Sequence, residues 1–443
     1  MTQTMPFKPS AENPVNDCFD IVIAGSGFAG LALATALAAG LGASARIAVV
    51  TRDTLGPSDA RPDSRATALS AATVRMLSRL GVWARCEDAA QPVMAIDITD
   101  SSLAAGIRPV LLIYDNLVGD AEPASHLVPN AALLSALDAS VRATPSVTLI
   151  GATMVTAFNA GPDRIAITLE GGRTLTANLL AAADGRGSRL RGMAGIRTVG
   201  WSYPQTGITV TIRHDRPHQG RAVQHFLPGG PFAMLPLPSV LTAKCDAVFG
   251  LEARQVQHNR TCVTWSENEV TARRLLALDD DAFTAELERR AGGRLGAITL
   301  DGPRQSWPLE MFIARAFAAP RFALVGDAAH NVHPIAGQGL NLGFKDVAAL
   351  AEVVVDTHRL GLDIAGPTVL ERYERWRRFD TMTSAASFDV LNRLFSTDGT
   401  LRRSLREFGL GLVNQLPGLK QRLVAEAAGV SGELPRLLRG EAI

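Results

Sequence analysis

Leu324-Val325-Gly326-Asp327-Ala328-Ala329-His330, running on through His333-Pro334-Ile335-Ala336-Gly337-Gln338-Gly339-Leu340-Asn341, reads as a buried strand that empties into a glycine-rich turn and a helix start. Gly326 permits a tight turn, and Asp327 is the right size to accept a hydrogen bond from a ligand hydroxyl. Gly337, Gly339 and Asn341 leave amides uncovered at the helix N-terminus, where anions and electron-rich oxygens bind. Taken alone, the run also suits an ordinary strand-turn-helix join. Two motifs upstream decide between these readings.

The first is Gly25-Ser26-Gly27-Phe28-Ala29-Gly30, which follows the apolar run Asp20-Ile21-Val22-Ile23-Ala24 and opens an alanine- and leucine-rich helix. This is the G-x-G-x-x-G dinucleotide fingerprint in its strand-turn-helix setting. Gly25 permits the turn, Gly27 admits a pyrophosphate to the backbone amides, and Gly30 lets helix and sheet approach. A second strand over 46–50 completes the unit. The acid expected to hold a ribose hydroxyl falls near Thr51-Arg52-Asp53, so either Asp53 reaches back or the ribose is held differently.

The second is Leu179-Leu180-Ala181-Ala182-Ala183-Asp184-Gly185-Arg186-Gly187-Ser188-Arg189-Leu190-Arg191, an apolar strand ending in Asp-Gly-x-x-Ser-x-x-Arg. By itself it could be a solvated loop. Together and in this order, the three motifs resemble the class A flavoprotein monooxygenases, the FAD-dependent aromatic hydroxylases. Four further stretches narrow the resemblance to the ubiquinone-biosynthesis hydroxylases. These are Asp63-Ser64-Arg65-Ala66-Thr67-Ala68-Leu69-Ser70 with Leu80-Gly81-Val82-Trp83, then Ile96-Asp97-Ile98-Thr99-Asp100, then His333 through Asp346, and Asp389-Val390-Leu391-Asn392-Arg393-Leu394-Phe395.

The resemblance implies an α/β fold: a Rossmann-like FAD-binding domain of the glutathione-reductase type, interleaved with an antiparallel-sheet substrate domain, plus a C-terminal helical segment. By the same resemblance Gly25, Gly27, Phe28, Ala29 and Gly30 take the FAD pyrophosphate, and Gly326 and Asp327 the ribityl chain. Asp184 and Gly185 serve FAD and the nicotinamide cofactor. Pro334, Gly337, Gly339, Leu340 and Asn341 wall the flavin ring, and Arg65 is a flavin-side contact or else a surface cation. NAD(P)H or another donor reduces FAD, O2 is co-substrate, and a flavin C4a-hydroperoxide hydroxylates a polyprenylated phenol. Such chemistry asks the protein for position and a dry cavity rather than a catalytic triad, and none is visible. His330 and His333 are the titratable groups beside the Gly-Asp motif; with Pro334 they are the weak catalytic candidates, although a lone histidine is more often structural.

Motif order places the FAD domain at 20–102, 180–200 and 303–370, and the substrate domain at 103–179 and 201–302. Residues 1–19 are then a flexible lead-in and 371–443 a helical region. Runs over 206–213, 221–227 and 247–252 alternate as half-exposed antiparallel strands do. Phe232-Ala233-Met234-Leu235-Pro236-Leu237 covers the flavin, with Phe232 and Met234 lining the substrate pocket, or is a plain core strand. With three tyrosines in the chain, none is evident as a partner for the substrate hydroxyl. Toward the C-terminus, Phe388, Leu391, Leu394 and Phe395, and then Leu401, Leu405, Phe408 and Leu412 among arginines, recur at helical spacing. Such stripes pack on the parent domain, or lie on a bilayer or on partner proteins.

Composition limits the rest. A chain of 443 residues, 47% hydrophobic, supports two to three domains, and a net charge of +1 offers nothing to nucleic acid. Cys18, Cys86, Cys245 and Cys262 show no metal spacing, which fits a reduced, cytoplasmic protein, with peripheral contact at the inner face of the membrane as its alternative. Association with other ubiquinone-biosynthesis proteins is also expected from the resemblance. The other enzyme reading is a related flavin reductase or dehydrogenase, and the non-enzyme reading a flavin-binding scaffold of a biosynthetic complex.

Overall fold

The computed structural model describes residues 17–54, 63–100, 110–119, 121–227, 229–244, 254–334, 337–395 and 417–443. Five short apolar strands run parallel in one sheet, in the order Val147–Ile150, Ile47–Val50, Ile21–Ala24, Leu179–Ala182 and Phe322–Leu324, with Ala318–Ala319 antiparallel at the edge. Their continuous apolar character follows from cover on both faces, which leaves no polar side to alternate with. The helix Phe28–Leu41 lies against the long helix Gly339–Arg359 so closely that a Cβ on Gly40 would meet a Val355 methyl at 2.5 Å. Each fully buried Ile, Leu or Val of this core stabilises the fold by about 1.5–3 kcal/mol.

The second sheet is large and mostly antiparallel. Its order is His330–Asn331, Gln305–Ala314, Thr198–His214, Arg254–Asn268, Gly230–Lys244, Arg221–Leu227, Ala95–Asp100 and Val110–Asp115, with Ile298–Leu300 also paired to Thr198–His214. Strand alternation gives it two unlike faces. One face carries Ile208, Val210, Val223, Phe232, Met234, Val263 and Trp265 and packs on the helices Glu269–Leu276 and Asp280–Ala291 through Leu275, Phe283 and Leu287. On the other face a row runs across the register from Ile98 through Gln224, Ala233 and Thr264 to Thr209.

Several expected boundaries fall elsewhere. The helix Asn130–Arg142 contributes Leu133 and Leu137 to the core of the parallel sheet, and Val147–Ile150 extends that sheet. The three strands Val155–Ala160, Ile165–Leu169 and Thr174–Ala177 join the same core, with Phe158 stacked on Phe322 at 5.1 Å. Residues 130–179 therefore lie with the nucleotide-type sheet. Conversely, Ala95–Asp100 and Gln305–Ala314 belong to the large sheet. Order begins before residue 20, because Phe19 is buried and its amide donates to Thr176 O at 2.8 Å.

In the C-terminal region the described residues include two α-helices. The helix Pro367–Phe395 starts earlier than expected and packs Phe388 beside Tyr203, Leu309 and Met311 on the parent fold. The helix Pro417–Ala427 is followed by a segment that buries Leu437, Leu438 and Ile443. The side chains of Leu391, Leu394 and Phe395, the stripe over 401–412 and the strand over 247–252 lie outside the described residues. Among the described residues, no helix is long and apolar enough to cross a membrane.

Candidate functional site

Ala24, Ala182 and Leu324 stand side by side in register at the C-terminal ends of three adjacent parallel strands, so the three motifs open at one edge. That edge is where open α/β sheets bind ligands. Gly25 has φ 117°, and a Cβ there would lie 2.3 Å from Ala183 O; a Cβ on Gly30 would lie 1.9 Å from Gly25 O. Gly27 differs, since its Cβ would meet no protein atom within 4 Å. It stands at the N-cap of Phe28–Leu41 with no side-chain cap, which leaves open space over free amides. These residues fit a dinucleotide diphosphate.

Asp53 lies against the fingerprint turn. Ser26 Oγ and Thr51 Oγ1 are 2.6 Å apart, and each lies 3.4 Å from Asp53 Oδ2. Asp184 is used locally: its carboxylate accepts from Ser188 Oγ at 2.5 Å and from the Arg189 amide at 3.0 Å, capping Arg189–Met193. Gly185, at φ 83°, makes the turn, and Arg191 donates to Ala328 O at 2.7 Å, tying this motif to the Gly-Asp motif. Gly326 has φ 63°, and a Cβ on it would press on Ala29 at 3.0 Å. Asp327 opens to the cavity within close protein walls that push its carboxyl above its ordinary value, while His330, Arg186 and Arg65 oppose the rise.

A cavity of about 430 Å³ lies in front of this edge. Phe28, Arg65, Asp327, Pro334, Gly337, Gly339 and Leu340 line one side, and the row of Ile98, Gln224, Ala233 and Thr264 lines the other. Arg65 is half-exposed there, with its guanidinium on Asp63 at 2.8 Å. Phe232 and Met234 do not line it. They are one residue out of phase with the cavity face and are buried instead among Trp265, Val263 and the covering helices. Tyr114 does line it, and among the described residues its hydroxyl makes no hydrogen bond. Burial pushes this phenol up to about 12, so it stays protonated.

The histidines stand behind the cavity wall. His330 Nε2 lies 2.6 Å from Asp346 Oδ2, Arg377 Nε donates to Asp346 Oδ1 at 2.7 Å, and the Gly326 amide donates to Oδ2 at 2.9 Å. Burial works to raise the Asp346 carboxyl, but His330 and Arg377 beside it hold it below its ordinary value. This buried cluster fixes the Gly-Asp turn; His330 does not reach the cavity. His333 is also buried, edge-on to Tyr203 at 5.0 Å, with neither ring nitrogen partnered among the described residues. Burial pulls it down to about 4, which keeps it neutral. The Asn341 side chain is likewise turned inward, accepting from the Ser70 amide at 3.0 Å and donating to Ala68 O at 2.8 Å.

Sequence reasoning missed Tyr114, Asp346 as an anchor, and Ala427, which reaches the cavity from the last helix. For Asp346 the available signal was its place at the end of the stretch His333 through Asp346 that carries the resemblance.

A family model described as an FAD binding domain matches residues 18–383. The chain is 38% identical to ubiquinone hydroxylase UbiL of Rhodospirillum rubrum, over 98% of this chain and 96% of that protein. It is 31% identical to the 3-demethoxyubiquinol 3-hydroxylase of Escherichia coli, over 94% and 100%. In structure it is similar to p-nitrophenol 4-monooxygenase of Pseudomonas putida, with TM-score 0.73 and 20% identity over 94% of this chain and 99% of that one. The chain therefore belongs to the FAD-dependent monooxygenases, in the family of the ubiquinone-biosynthesis hydroxylases.

Proposed function

We propose that the protein hydroxylates the ring of a polyprenylated phenol or benzoquinol intermediate of ubiquinone biosynthesis, with FAD bound, O2 as co-substrate and NAD(P)H or another donor as reductant. The observation that carries this reading is the cavity between the Gly-Asp edge and an apolar sheet face, where a planar ring fits against a flavin edge. The relatives named as ubiquinone hydroxylases support the substrate class.

Bound FAD would supply the activation of oxygen, and the chain's own residues supply position and dryness. The free amides at Gly27 hold the diphosphate. Ser26, Thr51 and Asp53 meet the adenosine ribose, and Asp327 accepts from the ribityl chain. Pro334, Gly337, Gly339 and Leu340 flank the ring, with Arg65 and Arg186 at its polar side. Asp184 and Gly185 act by shaping their turn. The reading includes a Rossmann-like domain of the glutathione-reductase type interleaved with the sheet domain. It also includes a cytoplasmic protein that meets the inner face of the membrane, or other ubiquinone-biosynthesis proteins, through Phe379, Met382 and Val390, which are exposed on Pro367–Phe395.

The test is turnover by the purified FAD-loaded protein with a reductant and a prenylated phenol. The expected result is oxygen consumption matched by hydroxylated product; oxygen consumed without product, or flavin that no donor reduces, would overturn the proposal.

A further inference from the structure

One wall of the cavity comes in part from the C-terminal segment. Ala427, the last residue of the helix Pro417–Ala427, lines it, and the matched family model ends at residue 383. This wall is held in place at two points. Gln338, in the turn that flanks the ring site, donates from Nε2 to Ala427 O at 3.1 Å, and the Ala72 amide donates to Ala428 O at 3.1 Å. Gly429 follows at φ 69°, close enough that a Cβ would meet Ser70 Oγ at 3.2 Å. Tyr114 faces the same cavity and packs on the cluster of Ala71, Ala124, Val424 and Ala428. Beside it in register is Ile96, and the lining nearby is apolar: Val93, Leu127 and Leu235.

Volume decides what such a wall meets. At about 430 Å³ the cavity is at the small end of ligand sites, which run roughly 300–1,000 Å³. A flavin edge and a substrate ring share that space, so a long isoprenoid chain is not contained and has to leave past a wall. The polar and glycine-rich side belongs to the cofactor, whereas the side of Tyr114, Ile96 and Ala427 is mostly apolar, with the polar Asn116 and Ser125 bonded to each other, and carries no cofactor motif. We propose that Tyr114 and residues 424–428 form the specificity wall for the isoprenoid tail, which runs out of the cavity along them. This rests on the hydroxylase reading for the nature of the substrate, and it assigns to the C-terminal segment the discrimination of tail from ring.

The experiment uses the FAD-loaded full chain and three phenols carrying no tail, one isoprene unit or three. Binding is read from the perturbation of flavin absorbance, and turnover from product. Ala427→Trp is expected to weaken binding of the three-unit phenol about tenfold more than that of the tail-less phenol, since crowding a close-packed apolar wall penalises the group that touches it. Tyr114→Ala, which opens the wall instead of filling it, is expected to change the ratio in the opposite direction. Flavin content of each variant reports on folding. Equal weakening across the series, unchanged ratios in both variants, or a wild-type protein whose binding ignores tail length would overturn the wall. A wild-type protein that binds by tail length but oxidises none of the three would leave the wall standing and remove the hydroxylase reading.

Discussion

Gly27 and Gly30 stand three residues apart in one turn, yet the space around them differs, and so does the expected cost of a methyl group. Gly30→Ala drives a Cβ into Gly25 O and is expected to destabilise the fold by about 1–3 kcal/mol or prevent folding, read by denaturant unfolding. Gly27→Ala meets no protein atom, so its apo stability is expected to match wild type while FAD affinity falls about tenfold or more, read by flavin titration. Equal effects on stability from both would contradict the cradle.

Two buried titratable residues carry predictions of their own. His333 is pulled from its ordinary 6.5 to about 4, so the unfolded chain binds more protons between these values. Its neutral form thus stabilises the fold fully above about pH 6.5, and up to about 3 kcal/mol is lost as pH falls toward 4. His333→Phe is expected to flatten that slope in unfolding measured across the window. Asp346 moves the other way, with its folded carboxyl held low, so its stabilisation is present above the unfolded value near 4 and lost as pH falls through the folded one. Asp346→Asn removes the carboxylate that His330 and Arg377 share and leaves Arg377 paired with Asp380 alone, and a loss of about 3 kcal/mol is expected in unfolding at pH 7. The motif glycines are legible in sequence because each answers a local backbone need. Tyr114 is not, because what makes it matter is a neighbour more than 300 residues away, near Ala427.

At the scale of elements, the large sheet shows where reading by pattern stops. The strand character of 206–213 and 221–227 is legible from alternation, and both runs lie in strands, Thr198–His214 and Arg221–Leu227. Which face looks at the cavity is not legible, because Gly230–Lys244 has apolar residues on both faces and a one-residue phase error inverts every side chain. The two faces make opposite predictions. Phe232→Ala is expected to cost about 3–5 kcal/mol of stability and leave the cavity shape intact, whereas Ala233→Phe is expected to fill the cavity and suppress turnover with a folded, FAD-loaded protein. The segment 130–179 illustrates a second limit: its strands look alike whether they extend the nucleotide sheet or a substrate sheet, and long-range pairing alone decides.

For the whole molecule, order of motifs along the chain proved sufficient to bring them together, because the fingerprint, Asp-Gly and Gly-Asp strands are neighbours in one parallel sheet. What that order does not contain is the cover on the opposite side, built from the large sheet and the last helix. In the proposed function, one cavity is bounded by a cofactor edge, a largely apolar sheet face and the proposed tail wall. The most direct test of that function is the quinone-lipid profile, by mass spectrometry, of cells lacking the protein and of the same cells supplied with wild type or Gly27→Ala. A prenylated phenol short of a ring oxygen is expected to accumulate, to disappear with wild type and to persist with Gly27→Ala. An unchanged quinone pool in the deleted cells would contradict the proposed function.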